Sequence, residues 1–547
     1  MNARRLAALY WPIPLCMAVS AFFVYFPITD ADIFWHLAAG REMIAHGFLH
    51  TDPFAYTLPS PRWIDLHWLF QLLCYGLYLA GGLKAVLLFK LAAIAATAAL
   101  LCLTHRSKLY VPVTALLTCL LVYAMRYLLC VRPVIVTLLF MAAYVFLFER
   151  ARRTGKRKAL LLCLPLQILW TNSQGLYPIG FFIIGTYWAE GALMWVRGRR
   201  GRPVFEMVLL AACAGSCFVN PYGFSGLAFP LRLFGRIAPS ARNLYSLAIS
   251  ENVPLFSLTG YDSIYRTVTL AVAAIAVLLF ILNRRKCVAS HILLFAGFGW
   301  LALSAVRNVP LFFVIAVPIV GANVSELLQS GFAARLSTGK RRILAFEAIA
   351  LGALTVGALF VSHLSVVSLY PPNRVVSPFR FPEKIADYLK ETPVPGTMFN
   401  DLRYGGYLIW RLYPQEKVFI DTRLIIRPPE FFAGYLAISE HPELFDRVAE
   451  KFNITQVILP SGLYSLHENL IRRLYASSAW RLAYTDGASV LFLRNDVAGP
   501  AALDLSNDST VNSIAAGIAD QWKDAPAVRR EALGYLENLR RSLVAAQ

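Results

Sequence analysis

Along the first 370 positions, apolar residues come in long unbroken runs rather than in the stripes of a water-facing helix. Ala85 to Leu103, Thr267 to Leu282 and Ile343 to Val361 are such runs, and a helix needs about 20 apolar residues to cross the hydrocarbon core of a bilayer. Between the runs stand basic clusters, Arg150 to Lys158, Arg197 to Arg202, Arg284 to Lys286 and Arg335 to Arg342. Cytoplasmic loops concentrate Lys and Arg, so each cluster fixes the parity of the spans between it and the next. This places Asn172-Ser173-Gln174-Gly175, Asn220-Pro221-Tyr222-Gly223 and Arg307-Asn308 at outer turns. Met1 to Arg5 is expected inside, and the apolar run that follows to Phe26 reads as a retained first span, because no small-residue cleavage site closes it. The total is about eleven spans on this parity. Trp68 to Leu83 is short and contains Gln71, and is expected as a partly inserted outer helix.

From Ser377 onward the pattern becomes an alternation of short strands and helices. Strands are predicted at Thr397 to Asn400, Lys417 to Asp421 and Gln456 to Leu459. Trp480 to Thr485 and Ser489 to Arg494 pair across Asp486-Gly487, a dipeptide that suits a hairpin turn with positive φ. Helices are predicted over Tyr404 to Leu412, Glu430 to Ile438, Leu444 to Phe452, Val511 to Trp522 and Ala527 to Val544. The expected fold is a polytopic α-helical membrane protein with a C-terminal soluble α/β domain. Its divisions are a transmembrane part, 1–370, carrying an outer loop, 29–67; an extracytoplasmic α/β domain, 371–500; and a helical tail, 501–547. The sequence has no evident internal repeat, which weakens a transporter built from inverted halves.

Composition agrees with a membrane protein. Hydrophobic residues make up 58% and charged residues 15% of the chain, against about 25% charge in a soluble domain. The net charge of +20 belongs entirely to the first 370 residues, since the remainder carries 20 basic and 20 acidic side chains. It therefore reads as a set of loop anchors and not as a nucleic-acid surface. All nine cysteines fall in or beside apolar segments, as small buried hydrophobes without metal spacing.

Polar residues that interrupt the apolar runs collect at the outer turns. Seven of the twelve acids in the first 370 residues, Asp30, Asp32, Glu42, Asp52, Asp65, Glu251 and Asp262, are expected there. Ionisable groups near a membrane interior are costly, so their convergence is a site hypothesis. Asp30 and Asp32 just above the bilayer suit a general base for an acceptor hydroxyl. Alternatively, the i, i+2 pair can share Mg²⁺ or Mn²⁺ with a phosphate, both being oxygen-seeking cations. Arg307, with Arg126 or Arg132, suits bidentate neutralisation of a phosphate. His36, Asp52, His67, Asn172, Gln174, Asn220, Tyr222, Glu251 and Asn308 complete the candidate substrate-binding set. Each has a plainer reading: Asp30 as a helix cap, Asp52-Pro53 as a turn, His36 and His67 as interfacial residues, and Trp35, Trp63 and Trp68 as interface anchors. In the polar region, Arg403-Tyr404-Gly405-Gly406-Tyr407 lacks the spacing of a phosphate loop, and its glycines are expected to permit close backbone packing. Asp421 and Arg423, at the end of the expected strand, are candidates for helping to bind an acceptor.

The stretch Asp30-Ala-Asp32-Ile-Phe-Trp-His36, followed by Thr51-Asp52-Pro53-Phe54 and His67-Trp68, resembles bacterial membrane proteins of the GT-C glycosyltransferase superfamily. These carry an acidic motif directly after the first span. Trp170-Thr171-Asn172, Asn220-Pro221-Tyr222-Gly223, Arg307-Asn308-Val309-Pro310 and Asn400-Asp401-Leu402-Arg403-Tyr404-Gly405-Gly406 resemble recurrent elements of one branch. Where relatives often have His-Gly after Asn172, this chain has Gln174-Gly175, which puts a histidine role at that turn in doubt. The resemblance implies transfer of a sugar, with inversion, from a polyprenyl-phosphate donor to a glycan, lipid or protein acceptor. It implies a site on the outer face of a bacterial inner membrane, with a cytoplasmic N-terminus and a periplasmic C-terminal domain. Two rivals stand beside it: an O-antigen ligase or polymerase-like enzyme relying on outer Arg and His, and a non-enzymatic transporter or scaffold.

Overall fold

The computed structural model describes residues 10–58, 61–105, 107, 109–199, 201–237, 244–245, 249–330, 338–371, 374–462 and 466–545. The expected anchor Met1 to Arg5, together with Arg200 and Arg335 of the basic clusters, lies outside the described residues. The chain forms two compact units, one from Met1–Tyr25, Leu66–Phe70 and Lys84–Ser365, the other from Phe26–Asp65, Gln71–Leu83 and Val366–Gln547. The sequence division gave the outer loop 29–67 to the transmembrane part; nearly all of it instead packs within the unit that contains the C-terminal residues.

The first unit is helical. Six helices are long and apolar enough to cross a membrane, at Trp68–Leu103, Val134–Thr154, Pro178–Val196, Gly260–Leu282, Val306–Leu328 and Phe346–Val367. The chain is thus a multi-pass membrane protein. Shorter apolar helices lie at Pro12–Phe23, Tyr110–Ala124, Val204–Ser216 and Ala289–Ser304. The expected count of about eleven spans is not established, since only these six meet the criterion among the described residues. Cys163–Ser173 shows the physical reason: its 11 residues rise about 16 Å against a hydrocarbon core of about 30 Å. Helix Trp68–Leu103 is broken at Gly81 and at Gly82, whose φ of +63° is open to a residue without a Cβ. The break falls where the sequence separates Trp68 to Leu83 from the apolar run after it, and it is also where the chain passes from one unit to the other. Lys90, buried within the second half of this helix, donates from Nζ to the carbonyl of Val24 at 2.6 Å. Val24 is the C-cap of Pro12–Phe23, and a cation there meets the negative end of the helix dipole.

The second unit is built on a four-stranded sheet of order β1-β2-β4-β3. β1 (Thr397–Asn400) runs parallel to β2 (Ile454–Pro460), β2 is antiparallel to β4 (Ser489–Arg494), and β4 to β3 (Trp480–Thr485). Every residue of β2 is buried, as an apolar strand between two neighbours requires. The β3–β4 turn is closed by Asp486, whose Oδ1 accepts from the N–H groups of Ala488 at 3.0 Å and Ser489 at 2.7 Å, with Gly487 at φ +83°. Helices Leu402–Leu412, Pro429–Glu440, Leu444–Phe452, Asp508–Gln521 and Pro526–Val544 fall where the pattern predicts them. Glu383–Glu391 and Glu468–Ala476 were not predicted.

One predicted strand is absent. Lys417 to Asp421 makes a single parallel bridge, Val418 with Ala55. A side chain takes the place of a neighbouring strand: Asn400 Oδ1 accepts from the Phe419 N–H at 2.9 Å and its Nδ2 donates to the Ile420 carbonyl at 2.8 Å. Phe26–Asp65 joins the unit through that bridge, through a second one between Ile28 and Val376, and through helix Asp32–His46, which packs on Leu402–Leu412. The two helices approach closely because Gly406 presents no side chain: a Cβ there would stand 2.5 Å from the Ala31 carbonyl oxygen. A Cβ on Gly405 would stand 2.2 Å from the carbonyl oxygen of Ile420. The expectation that these glycines serve close packing is thereby met.

Candidate functional site

In the second unit, the acidic pair opens helix Asp32–His46. Asp30 Oδ1 accepts the Asp32 N–H at 3.2 Å, the local role that short acids favour at helix starts. Asp32 lies in the first turn, where the dipole favours a carboxylate. Its Oδ1 accepts from the Trp35 indole N–H at 3.2 Å and from the hydroxyl of Thr422. His36 is buried, its ring tilted by 34° against that of Trp35 with 3.6 Å between centroids.

Asp52 lies in a buried ionic network. Its Oδ1 is 2.9 Å from Arg423 Nη1 and its Oδ2 is 3.8 Å from Arg427 Nη2. Arg423 also grips Asp421 in a fork, Nε to Oδ1 at 2.8 Å and Nη2 to Oδ2 at 2.8 Å. Three rings wall the Arg423 guanidinium, Trp63 at 4.7 Å, Phe54 at 5.0 Å and Trp35 at 5.7 Å. Arg427 donates to Thr57 Oγ1 at 2.8 Å, and that hydroxyl donates on to the Phe419 carbonyl. Burial alone would push the Asp421 carboxyl up, but the adjoining Arg423 and Arg427 guanidiniums hold it below the usual carboxylate range. The sequence reading sent Asp421 and Arg423 toward an acceptor; both are enclosed, at 0% and 4% exposure, and bind each other and Asp52. Asp52 is 4% exposed and likewise faces cations within the unit.

In the first unit, the outer-turn candidates form two groups. His67 begins helix Trp68–Leu103. Next to it, the Trp68 indole N–H donates to Asn172 Oδ1 at 2.8 Å, and Asn172 Nδ2 donates to the carbonyls of Ile168 and Val219, each at 2.8 Å. Asn220 closes its own turn, accepting the Tyr222 N–H at 2.8 Å and donating to the Cys217 carbonyl at 2.7 Å. Gln174 Oε1 accepts the Leu176 N–H at 3.1 Å. The second group is charged. Arg132 Nη1 meets Glu251 Oε2 at 2.6 Å, Arg307 Nη1 donates to Asn252 Oδ1 at 2.8 Å, and the Val306 N–H donates to the Val253 carbonyl at 3.1 Å. Asn308 Nδ2 donates to the Leu301 carbonyl at 2.9 Å. Arg126 stands apart, between the rings of Tyr123 at 3.9 Å and Tyr127 at 4.4 Å. The candidates thus belong to two units, Asp30, Asp32, His36, Asp52, Asp421 and Arg423 to one and the outer-turn residues from His67 to Asn308 to the other.

Sequence reasoning missed an ionic knot inside the first unit. Glu149 Oε1 accepts from Arg152 at 2.9 Å and from the Tyr187 hydroxyl at 2.8 Å, and lies 3.1 Å from His291 Nε2. Arg152 donates on to Glu190 at 2.6 Å and Ser290 at 2.8 Å. The available signal was two carboxylates, Glu149 and Glu190, set inside apolar helices. The sequence also gave no weight to Thr422.

The cation expected at Asp30 and Asp32 needs oxygen donors from these two carboxylates and their surroundings. Among the described residues no group of three or more His, Cys, Asp or Glu side chains is arranged to hold a metal ion. Asp32 Oδ1 receives two hydrogen-bond donors and Asp30 Oδ1 one. Two carboxylates are fewer ligands than Mg²⁺ or Mn²⁺ takes, so a cation at Asp30 and Asp32 would draw its remaining oxygens from a phosphate and water.

No protein-family model and no curated protein matches the chain. Solved structures do. Archaeal oligosaccharyltransferase AglB from Archaeoglobus fulgidus, in complex with an inhibitory peptide and a dolichol-phosphate, matches with a TM-score of 0.60 at 12% identity, over 99% of this chain and 86% of that one. The oligosaccharyltransferase of the same organism in complex with Zn and sulfate matches with 0.55 at 12% identity, over 96% and 83%. Its apo form matches with 0.51 at 13% identity, over 82% and 70%. AglB is a GT-C superfamily member, and the chain shares its fold through both the helical and the sheet-containing parts.

Proposed function

We propose that this GT-C-type fold serves a membrane glycosyltransferase, which moves a sugar or glycan from a polyprenyl-phosphate-linked donor to an envelope glycan, lipid or protein acceptor. The observation that carries the reading is the likeness to AglB over 99% of the chain. The AglB structure bound to a dolichol-phosphate and a peptide supports a lipid-linked donor and makes a peptide one candidate acceptor.

In this reading Asp32 is the general base, assisted by Asp30. Its carboxylate takes the proton of the acceptor hydroxyl or amide as the acceptor oxygen or nitrogen attacks the anomeric carbon. The bond from that carbon to the lipid phosphate oxygen breaks, and the configuration inverts. On the sequence argument alone, Arg307 and Arg132 are the candidates for neutralising the charge on the departing phosphate. His36, His67, Asn172, Gln174, Asn220, Tyr222 and Asn308 stay substrate-binding candidates on the sequence argument alone, and Asp52 supports the fold around Asp32. On this reading the site faces outward from a bacterial inner membrane and the C-terminal domain is periplasmic. No step is assigned to a metal ion.

The test uses the full chain in lipid nanodiscs with radiolabelled polyprenyl-phosphate hexose and polyprenyl-diphosphate oligosaccharide, scoring label transferred to peptide, glycan or lipid acceptors. Positioned general bases contribute about 10² to 10⁴-fold, so Asp32→Asn should lose at least about a hundredfold in transfer while inserting normally. Undiminished transfer by both Asp32→Asn and Asp30→Asn removes the base assignment. A loss confined to Arg307→Ala favours the ligase-like class.

A further inference from the structure

The carboxylate of Asp32 is held from both ends of the chain. One donor, Trp35, lies three residues along the same helix, at 3.2 Å. The other, the Thr422 hydroxyl, comes from 390 positions away and meets the same Oδ1. Thr422 is the middle residue of a turn, Asp421-Thr422-Arg423, in which Asp421 Oδ1 accepts the Arg423 N–H at 2.9 Å. Both flanking residues are buried and locked, Arg423 by its fork onto Asp421 and its contact with Asp52, Asp421 by that fork and by Arg427 at 3.6 Å. The Trp35 ring that supplies the indole donor also lies beneath the Arg423 guanidinium. Helix Asp32–His46, the loop carrying Asp52 and Trp63, and residues 421–423 therefore close one circuit, and its outlet is the Asp32 carboxylate.

Resting on the base assignment above, we propose that Thr422 is a positioning residue for Asp32. Its hydroxyl, with the Trp35 indole, holds Oδ1 and so fixes the rotation of the carboxylate that the base assignment turns toward the acceptor. The hydroxyl is not what holds the segment in place. The fork of Arg423 on Asp421, the contact with Asp52 and the three aromatic walls do that without it, because charged and doubly bonded contacts outweigh one hydroxyl bond. Within the second unit, the C-terminal part of the chain therefore contributes to the reaction through the orientation of a side chain that residues 26–65 supply.

Thr422→Val keeps the shape and removes the donor, Thr422→Ser keeps the donor, and Thr422→Ala is a smaller donor-free variant should valine fold poorly. In the transfer assay Thr422→Val is expected to lower kcat about 10 to 100-fold with KM within about twofold, within the range of a misaligned base. Thr422→Ser should recover kcat to within about threefold of the parent protein. A second readout needs no substrate. In protein labelled with 5-fluorotryptophan, the ¹⁹F resonance lost in Trp35→Phe reports the Asp32 contact; Thr422→Val should shift it and Thr422→Ser should return it. Full kcat in both Thr422→Val and Thr422→Ala, failure of serine to restore it, or a Trp35 resonance that Thr422→Val leaves in place overturns the proposal. If Asp32→Asn retains transfer, or no donor is consumed at all, the base assignment fails instead. The fluorine resonance then decides alone whether Thr422 orients Asp32.

Discussion

Arg423→Met replaces a guanidinium by an apolar chain of similar length and leaves two buried carboxylates short of their main counter-charge. Asp421 loses its fork at 2.8 and 2.8 Å, and Asp52 loses its partner at 2.9 Å. Breaking a buried ion pair from one side costs about 3 to 5 kcal/mol, chiefly because the orphaned charge stays out of water. Arg427, at 3.6 Å from Asp421 and 3.8 Å from Asp52, remains and offsets part of this, so a deficit of about 3 kcal/mol at pH 8 is expected. The deficit should shrink on acidification. In the parent protein the depressed Asp421 carboxyl contributes stability that is present above its unfolded value and lost as pH falls through its folded value. In the variant the orphaned acids escape their penalty by taking protons, so the variant loses less than the parent between pH 8 and pH 4. Peptide-resolved maleimide labelling during a denaturant series measures this. Cys74, buried and in the second unit, reports that unit, while Cys163, Cys213 and Cys217 report the first. Asp421→Asn combined with Arg423→Met should be less destabilised than the two single changes added together, by at least about 1.5 kcal/mol. A Cys74 midpoint within about 1 kcal/mol of the parent at pH 8, or a deficit that does not change with pH, would refute the assignment of a tightly coupled buried network.

Two other outcomes follow from the second unit. His467 is fully buried, its Nε2 2.9 Å from the Tyr435 hydroxyl, which also accepts the Leu402 N–H; burial drives its pKa down to about 4. The unfolded chain therefore binds the extra proton from about pH 6.5 downward, and the unit should lose about 3 kcal/mol between pH 6.5 and pH 4 through this residue, a loss that His467→Gln abolishes in the same labelling assay. Gly405→Ala would put a Cβ 2.2 Å from the Ile420 carbonyl oxygen and 2.7 Å from Asp421 Cα. Backbone cannot swing aside as a side chain can, so about 1 to 3 kcal/mol of overpacking is expected, with transfer falling more than the Cys74 midpoint does because residues 421–423 are displaced; unchanged transfer would count against the link from that turn to Asp32.

Most of the elements were legible because they rest on local pattern. The apolar runs, the Asp486-Gly487 hairpin and the amphipathic helices of the second unit follow from hydrophobic period and turn chemistry, which neighbouring residues set among themselves. The close-packing role of Gly405 and Gly406 was readable for a similar reason, since paired glycines at a helix start have few other uses. The resemblance carried by Asp30, Asp32 and the outer-turn residues likewise pointed to the fold that AglB shares over both units. Partnership was beyond reach. Lys417 to Asp421 has the composition of a strand, yet the Asn400 side chain supplies the hydrogen bonds a neighbouring strand would have given. Asp421 and Arg423 read as acceptor ligands until their charges are seen to close on Asp52, more than three hundred positions earlier in the chain. Sequence period decides which face of an element is apolar, because that depends on bond geometry within a few residues. Which charge meets which, and that a threonine hydroxyl from the second unit's far end of the chain reaches Asp32, depends on how distant segments stack, and only the tertiary structure decided it.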